Sequence, residues 1–442
     1  MTEVLASVAP AQLRSSGPEI GIKERYTSPE FLALEAERLW PRVWQLVCHT
    51  SQIPSVGDFY EYTIVDQSFL LVRVAADRVK AYHNVCQHRG MQLKEGCGNA
   101  SELRCPSHAW TWNLDGTLKA VTDAFDFDES AVAPGCLSLP ECRVDSWGGF
   151  IFINVDGQAP PLLDYLAPVP SRLAALRLEA MTLTRVRSTV FRANWKLGYE
   201  AFVESYHVVG THPQSLGYFD DTGLIFEQHG DHGMHRAREG GMGSPSRRLD
   251  WAEVPDKREA LLTMLSDLGA AELFSEEEAG QLDALLEMVA ALPEETTIGS
   301  FFAGIRRQQA AAAGLDMSDV SDWDLLSGEL WNVFPNFTIP SNALNALIIR
   351  FRPNGRDPDS SIMDLFNLEL QGPNSPAAPV SVEVYDDWRD CSSWGRVLEQ
   401  DFSNLERWQQ GVRSPGFQGP IWGRQDGNNG NFHRALTRYV TG

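Results

Sequence analysis

The chain has 442 residues, of which 43% are hydrophobic and 22% are charged, as is typical of a folded globular protein. Its net charge of −22 argues against nucleic-acid binding, because phosphate contacts need a surplus of Lys and Arg. No stretch approaches the ~20 apolar residues that cross a bilayer, and the N-terminus lacks the basic and apolar regions of a secretory signal. We therefore expect a cytoplasmic protein with neither a membrane nor a nucleic-acid partner.

The cysteine content restricts the kind of protein further. An odd number of cysteines, thinly spread over a long chain, argues against a disulfide framework and favours metal binding or simple burial. The seven cysteines are Cys48, Cys86, Cys97, Cys105, Cys136, Cys142 and Cys391.

The first part of the chain predicts an arm followed by a small all-β module. Residues 1–42 end in FLALEAERLW, whose apolar positions have helical spacing. Residues 43–155 contain short strand-like runs separated by turn signals, and Asp115-Gly116 predicts a hairpin turn. The strand-like runs are FLLVRV, KAYHNV, TWNLDGTLKAV and GFIFINV.

Residues 156–442 predict a mixed domain that follows a proline-rich linker. The strand MTLTRVRSTVFRA leads into an apparent helix, WKLGYEAFVESYHVV. A helix-rich stretch at about 256–326 is interpreted as a cap over a substrate cavity. Strands follow at LWNVFPNFTI, ALIIRFRP and SIMDLFNLEL, and a last amphipathic helix covers about 391–411. Strands with helices segregated among them indicate an α+β fold.

Two short segments of the β module each offer one thiolate and one imidazole. Cys86 and His88 form the first pair, and Cys105 and His108 form the second. A structural zinc site could use these four side chains, although a C-x-H spacing does not match the usual zinc knuckle. The alternative is a [2Fe–2S] cluster with two Cys on one iron and two His on the other.

The residues around both pairs resemble a known family. C-x-H-R-G-x-x-L, starting at Cys86, and C-P-x-H-x-W-x-W-x-x-x-G, starting at Cys105, are similar to the paired loops of Rieske domains in ring-hydroxylating oxygenases. The resemblance implies a [2Fe–2S] cluster bound by Cys86, His88, Cys105 and His108. Four ligands complete such a cluster, so Cys97 is interpreted as a free structural thiol.

A second set of metal-ligating residues lies downstream. Glu204 and His207 are three residues apart and would share a helix face, whereas His207 and His212 can bind one metal only if the helix loosens or ends between them, as Gly210 and Pro213 permit. Two His and one carboxylate, with open positions left over, are typical of non-haem Fe(II) sites that activate O₂.

This segment also resembles the catalytic domains of Rieske oxygenases. N-W-K…E-x-F-x-E-x-Y-H-x-x-x-x-H-P is similar to the iron-binding segment of that family. The family's third iron ligand is an Asp in a pattern like E-x-D…Q-x-G, which assigns Asp401, with Glu399 and Glu406 as alternatives.

By the same resemblance, Glu204 is a bridge for electrons. It would hydrogen-bond His207 and His108 of the partner subunit. Many ring hydroxylases have Asp in place of Glu204 and Asn in place of Ala201, and a Glu at the bridge also occurs in oxygenases that attack quaternary amines. The resemblance therefore supports an oxygenase activity for this chain more firmly than it supports any one substrate class.

The resemblance implies an all-β Rieske domain joined to a helix-grip catalytic domain, with residues 1–42 belonging to the latter. It also implies a trimer, alone or with small β subunits. O₂ and electrons from NAD(P)H, delivered by a reductase and often a ferredoxin, would oxidise an aromatic or other hydrophobic ring compound. No G-x-G-x-x-G follows a strand, so the chain should not bind the nicotinamide itself.

Several alternatives stay open at this point. The enzyme could instead be a monooxygenase that acts on a quaternary amine or performs oxidative demethylation. The non-enzymatic alternatives are an iron–sulfur electron carrier and a zinc-stabilised binding module. The cluster of His229, His232 and His235 is interpreted as a solvated, glycine-rich loop near the pocket entrance, in preference to a third metal site.

Overall fold

The computed structural model describes residues 22–441 except 134, 239, 268–286, 289, 290, 294, 295, 327, 376–379 and 393. These residues form two compact units. One unit is Leu32–Pro170, and the other combines the residues up to Phe31 with those from Ser171 onward. The first unit contains the predicted β module at 43–155, together with the helical turns before it and the proline-rich segment after it.

The helices of the described residues are mostly short. Helical turns continue beyond α2 as a π-helix at Glu35–Leu39 and a 3-10 helix at Trp40–Arg42, in agreement with the helix predicted at the end of the N-terminal arm. None of the described helices combines the length and apolar composition that crossing a bilayer requires. The helices are α1 (Glu24–Thr27), α2 (Pro29–Leu34), α3 (Leu162–Leu166), α4 (Val169–Arg172), α5 (Trp195–Ala201), α6 (Val208–Thr211), α7 (Lys257–Asp267), α8 (Ile298–Ala312), α9 (Asp322–Leu326), α10 (Arg396–Arg413) and α11 (Gly427–Thr441).

The unit Leu32–Pro170 is built from two antiparallel sheets. Seven strands pair in the order β1-β10-β9-β4-β3-β2-β5, and three pair in the order β6-β7-β8. Gly116, at φ +86°, lies in the predicted turn between β7 and β8. The strands are β1 (Gln45–His49), β2 (Asp58–Ile64), β3 (Gln67–Ala75), β4 (Arg78–His83), β5 (Cys97–Asn99), β6 (Leu103–Arg104), β7 (Thr111–Trp112), β8 (Leu118–Ala120), β9 (Glu141–Trp147) and β10 (Phe150–Asn154).

The second unit contains one eight-stranded sheet with helices beside it, which confirms the α+β prediction. The strand order is β12-β13-β14-β15-β16-β17-β11-β18, and every neighbouring pair is antiparallel except β11 with β18. The strands are β11 (Thr182–Phe191), β12 (Ile225–His229), β13 (His232–Arg236), β14 (Leu330–Val333), β15 (Phe337–Ile339), β16 (Asn345–Pro353), β17 (Ser361–Glu369) and β18 (Ser381–Tyr385).

Helices cover one face of this sheet at close range. Gly198 of α5 lies against the ring of Phe351 on β16, where an added Cβ would overlap that ring. Phe402 of α10 packs edge-to-face on Phe191 of β11, with ring centroids 4.9 Å apart. Since Phe351 and Phe191 project from the same face, α5 and α10 share one side of the sheet.

The structure corrects several predicted elements of this unit. The helix expected over WKLGYEAFVESYHVV ends at Ala201. The helix expected at 391–411 is α10. Neither β18, which precedes it, nor α11, which follows it, was predicted. Within the predicted cap, α7, α8 and α9 are helical as expected, and the rest of that stretch lies largely outside the described residues.

Candidate metal centres

The two Cys/His loops of the β-rich unit have the same backbone hydrogen-bond pattern. The amide of Cys86 donates to the carbonyl five residues on, at 2.7 Å, and the amide of Gly90 donates back to Cys86, at 3.0 Å. In the second loop, the amide of Cys105 donates to the carbonyl of Trp110 at 2.8 Å, and the amide of Ala109 donates to the carbonyl of Cys105 at 3.1 Å. Gly90 and Ala109 both have positive φ, which explains the glycine of the first motif. Each loop is therefore a tight turn that presents its cysteine.

The four predicted cluster ligands lie together. Cys86 and Cys105 are buried, and burial followed by a hydrogen bond with Cys105 raises the pKa of the Cys86 thiol. The rings of His88 and His108 meet edge-to-face with centroids 4.7 Å apart. The Nδ1 atom of His88 is buried without a hydrogen-bond partner among the described residues. A buried nitrogen beside a second imidazole and two thiols fits the donor set of a [2Fe–2S] cluster.

The surroundings of the loops hold His88 in place and leave His108 accessible. The His88 ring stacks on Trp110, with centroids 4.8 Å apart and an interplanar angle of 10°. His108 is exposed. Cys97 is a free, exposed cysteine on the short strand β5. A group bound by the two loops would therefore be buried on the cysteine side and reach the surface at His108.

The second unit brings His207, His212 and Asp401 together. One ligand atom from each lies within 4.8 Å of the other two, and no other such group of His, Cys, Asp and Glu occurs in the part of the chain that the structure describes. His212 Nε2 is 2.9 Å from Asp401 Oδ1, and His207 Nε2 is 3.6 Å from the same oxygen. Three protein ligands that converge in this way leave coordination positions open.

Each histidine of this group is held through its other ring nitrogen. His207 Nδ1 is 2.7 Å from Glu204 Oε1. His212 Nδ1 is 2.8 Å from Gln400 Oε1, and Gln400 also exchanges hydrogen bonds with Gln214. An acceptor at Nδ1 fixes the tautomer and leaves Nε2 for a metal. Both Nε2 atoms therefore face Asp401.

The Glu204 carboxylate also explains why the predicted helix ends early. Its Oε2 atom accepts the amide hydrogens of Tyr206 and His207, the latter at 3.2 Å. A side chain that takes amides three residues or fewer away competes with the helical backbone. The chain resumes helical geometry only at α6, which ends at Thr211, directly before His212. The break beside Glu204 therefore lies before His207, and the turn between the two histidines is helical as far as Thr211.

The electrostatics of the site favour positive charge at His207. Burial lowers its pKa, but the hydrogen bond and charge of Glu204 and the charge of Asp401 outweigh burial, so the pKa is raised above the ordinary value. Burial, then the charge of Glu204, raises the pKa of Asp426. A divalent cation placed between His207, His212 and Asp401 would meet an acidic environment that compensates its charge.

The alternative acids on α10 have other partners. Glu399 Oε1 accepts the amide of Trp394 at 3.1 Å, and Glu406 pairs with Arg389. Neither belongs to the converging group, whereas Asp401 is only 5% exposed and does.

The interpretation of the second histidine cluster as a solvated loop is wrong. His229 ends β12 and His232 begins β13, with a turn at Gly230 between them. His232 and His235 are buried, and His232 Nδ1 accepts the amide of Phe334 at 3.1 Å. Burial lowers the pKa of His235 to about 4. His232 and His235 therefore lie on a buried strand of a β-hairpin, and His235 is close enough to His207 for the charge of His207 to act on it.

Sequence reasoning missed the roles of three further residues of this region. Gln400 occupies the unspecified position of E-x-D, so its adjacency to Asp401 was the available signal. Asp426 lies in a segment without any motif. Glu200, quoted only as part of a motif, is half-buried near the C-terminal end of α5, where Tyr26 donates to it at 3.1 Å and His433 Nε2 lies 2.8 Å away.

Two family models match separate parts of the chain. The Rieske [2Fe–2S] domain matches residues 43–126, and the catalytic domain of the ring-hydroxylating alpha subunit matches residues 178–442. A glycine betaine monooxygenase oxygenase subunit from Chromohalobacter salexigens is 34% identical over 201 residues, 45% of this chain and 44% of that protein. The anthranilate 1,2-dioxygenase large subunit of Acinetobacter baylyi is 33% identical over 201 residues, 43% and 42% of the two chains.

The chain spans about half the length of the curated relatives that it matches. The similarity of fold extends further. A naphthalene 1,2-dioxygenase variant bound to phenanthrene has a TM-score of 0.66 at 20% identity, over 96% of this chain and 92% of that chain. The chain therefore belongs to the ring-hydroxylating alpha subunit family, and it joins that family's catalytic domain to a Rieske [2Fe–2S] domain.

Proposed function

We propose that the chain is the terminal oxygenase component of a Rieske oxygenase, which uses O₂ and externally supplied electrons to oxidise an organic substrate. The observation that carries the proposal is the convergence of His207, His212 and Asp401 in a chain that also has a Rieske domain. A carrier of electrons alone has no need of a second set of metal ligands with open positions.

In this proposal, His207 Nε2, His212 Nε2 and a carboxylate oxygen of Asp401 hold Fe(II). Ferrous iron bound there supplies the reductive activation of O₂. Glu204 and Gln400 orient the two imidazoles through their Nδ1 atoms, so the ligand geometry exists before the metal arrives.

In this proposal, Cys86, His88, Cys105 and His108 would hold a [2Fe–2S] cluster, which would supply the electrons for this site. We propose that Glu204 links His207 to His108 of the partner subunit within a trimer. Two features support the link: His108 is exposed, and Glu204 already contacts His207 Nδ1. Tyr206 and Val209, which flank His207, are 52% and 41% exposed, as expected of apolar side chains that a neighbouring subunit covers.

The cluster would in turn be reduced by a separate reductase, with or without a ferredoxin, that draws electrons from NAD(P)H. The chain itself lacks the glycine-rich nicotinamide fingerprint.

The proposed substrate is an aromatic or other hydrophobic ring compound, which would be mono- or dihydroxylated. The second candidate is a quaternary amine, oxidised by a monooxygenase reaction that removes an alkyl group. The specific observation in favour of this second candidate is the 34% identity to a glycine betaine monooxygenase subunit, together with Glu204 at the bridge position.

Metal analysis tests the oxygenase proposal. We expect three irons and two sulfides per chain in the purified holoprotein. Asp401→Ala should remove one iron and leave the visible spectrum of the cluster intact, whereas the control Asp390→Ala, at an exposed position, should keep all three. Two irons in the wild type would indicate an electron carrier, and a colourless zinc protein would indicate a binding module.

A kinetic experiment tests the bridge. Glu204→Gln should keep both metal centres but slow reoxidation of the reduced cluster by O₂ in the presence of substrate. The control is Glu179→Gln, at an exposed position of the same unit. Unchanged single-turnover electron transfer in Glu204→Gln would exclude the bridging role.

A further inference from the structure

A row of buried polar side chains runs across three strands of the catalytic sheet. Asn332 on β14 pairs with Thr338 on β15 and with Gly233 on β13, and His235 follows Gly233 by two residues. Side chains of paired residues, and of residues two apart on one strand, project from the same face of a sheet. His235, Asn332 and Thr338 therefore lie side by side on one face.

Asn428 of α11 faces these strands from the neighbouring helix and adds a fourth polar side chain. A Cβ on Gly233 would lie 2.5 Å from Asn428 Oδ1, so the amide of Asn428 occupies the space that a side chain at position 233 would need. The absence of a side chain at Gly233 thus brings the helix amide directly onto the strand, between His235 and Asn332. We call His235, Asn332, Thr338 and Asn428 the polar row.

The polar row is buried, and five of its hydrogen-bonding atoms have no partner among the described residues. Its four residues are between 1% and 5% exposed. The atoms without a partner in the described part of the chain are His235 Nδ1, both amide atoms of Asn332, Thr338 Oγ1 and Asn428 Oδ1. Buried polar groups without partners are rare, because each one loses its water without compensation. Several such atoms in one row indicate that something else binds them.

The row lies beside the proposed iron site. The charges of Glu204 and His207 act on His235, which places that end of the row near the iron ligands. Asn428 Nδ2 donates to the carbonyl of Val203 at 3.2 Å, next to Glu204. Its free Oδ1 atom points away from this bond toward the row.

We propose that the polar row is a substrate subsite that recognises a neutral hydrogen-bonding substituent, such as an amide or a hydroxyl, on the ring compound to be oxidised. The inference rests on the proposed oxygenase function and deepens it. The row offers both donors and acceptors but has no Lys, Arg, Asp or Glu. An anionic substituent would be buried there without an opposite charge in the row, which is strongly unfavourable. An unsubstituted hydrocarbon would leave the five atoms unpaired.

The test measures ligand preference without turnover. The full-length, iron-loaded, oxidised protein is titrated calorimetrically with benzamide and with cumene, in which two methyl groups replace the amide oxygen and nitrogen. Wild type should bind benzamide more tightly than cumene. Asn332→Leu should lower the ratio of the two affinities at least tenfold, because a site that hydrogen-bonds a polar group discriminates strongly against its apolar analogue. Asn374→Leu, at an exposed position, should leave the ratio unchanged.

A second variant and two charged probes complete the test. If Asn332→Leu does not fold, the more conservative Thr338→Val must show the same direction of change. A ratio equal to that of wild type in the folded variant overturns the inference. Tighter binding of benzoate or glycine betaine than of benzamide by wild type also overturns it, because both probes are charged. Since no electrons are supplied, these results are independent of whether the protein oxidises the ligand, which metal analysis and turnover assays decide separately.

Discussion

Gln400 offers a quantitative test of how the iron ligands are held. Its Oε1 atom accepts the Nδ1 hydrogen of His212 at 2.8 Å, and His212 is only 3% exposed. Gln400→Leu keeps the approximate size of the side chain but leaves that buried N–H without a partner. Loss of such a supporting hydrogen bond typically lowers metal affinity 10- to 100-fold, which corresponds to about 1.4–2.7 kcal/mol of binding free energy.

The assay is competition for Fe(II) between the protein and a chelator of known affinity. The visible spectrum of the [2Fe–2S] cluster serves as an internal control, because the cluster lies in the other compact unit and should not respond. Gln400→Glu should retain most of the affinity, since a carboxylate accepts the same bond. Gln410→Leu, an exposed glutamine on the same helix, should behave as wild type. An unchanged iron affinity in Gln400→Leu would refute the positioning role.

The remaining predictions concern the stability of the catalytic unit. Burial raises the pKa of Glu200 to about 8, so the folded state binds one more proton than the unfolded state between about pH 4.5 and 8. The free energy of unfolding should be highest below about pH 4.5 and should fall between about pH 4.5 and 8 by at most about 1.4 kcal/mol per pH unit. In urea titrations, the free energy of unfolding of Glu200→Gln should depend less on pH than that of wild type. Asp364→Asn should cost about 3–5 kcal/mol in the same assay, because the buried Arg350 and the half-buried Arg352 lose their carboxylate. Gly198→Ala should cost about 1–3 kcal/mol through overlap with Phe351, and equal stability would contradict the close helix–sheet contact.

The paired loops were the most predictable part of the molecule. Each pair of ligands lies within four consecutive residues, and the turn that presents them is local, with Gly90 where the backbone needs positive φ. Asp401 lies 189 residues from His212, and no local rule joins them. It was identified only because the family pattern marks its position, and the structure brings it to the two histidines.

The sequence misled where side chains compete with the backbone or where strand pairing is long-range. Nothing between Tyr199 and Val209 breaks a helical pattern, yet the Glu204 carboxylate takes two backbone amides and ends the helix. The polar His235 and the nearby Gly233 predicted a loop, because a strand is recognised in a sequence by alternating apolar residues. Gly233 pairs with strands on both sides, and Asn428, from the far end of the chain, occupies the space that its side chain would need.

The same long-range pairing hid the polar row. Its members come from positions 235, 332, 338 and 428, and only the register of β13, β14 and β15 places them next to one another. Composition and motif spacing carry no information about that register.

The most direct test of the proposed oxygenase function is a single turnover with labelled oxygen. Fully reduced, iron-loaded protein is mixed with ¹⁸O₂ and with each of benzamide, benzoate, naphthalene and glycine betaine. The oxygenase proposal predicts that at least one probe gives a hydroxylated product that carries ¹⁸O, or formaldehyde together with the demethylated amine, as the cluster is reoxidised, and that Asp401→Ala gives neither. Reoxidation of the wild-type cluster without either product from any probe would contradict it.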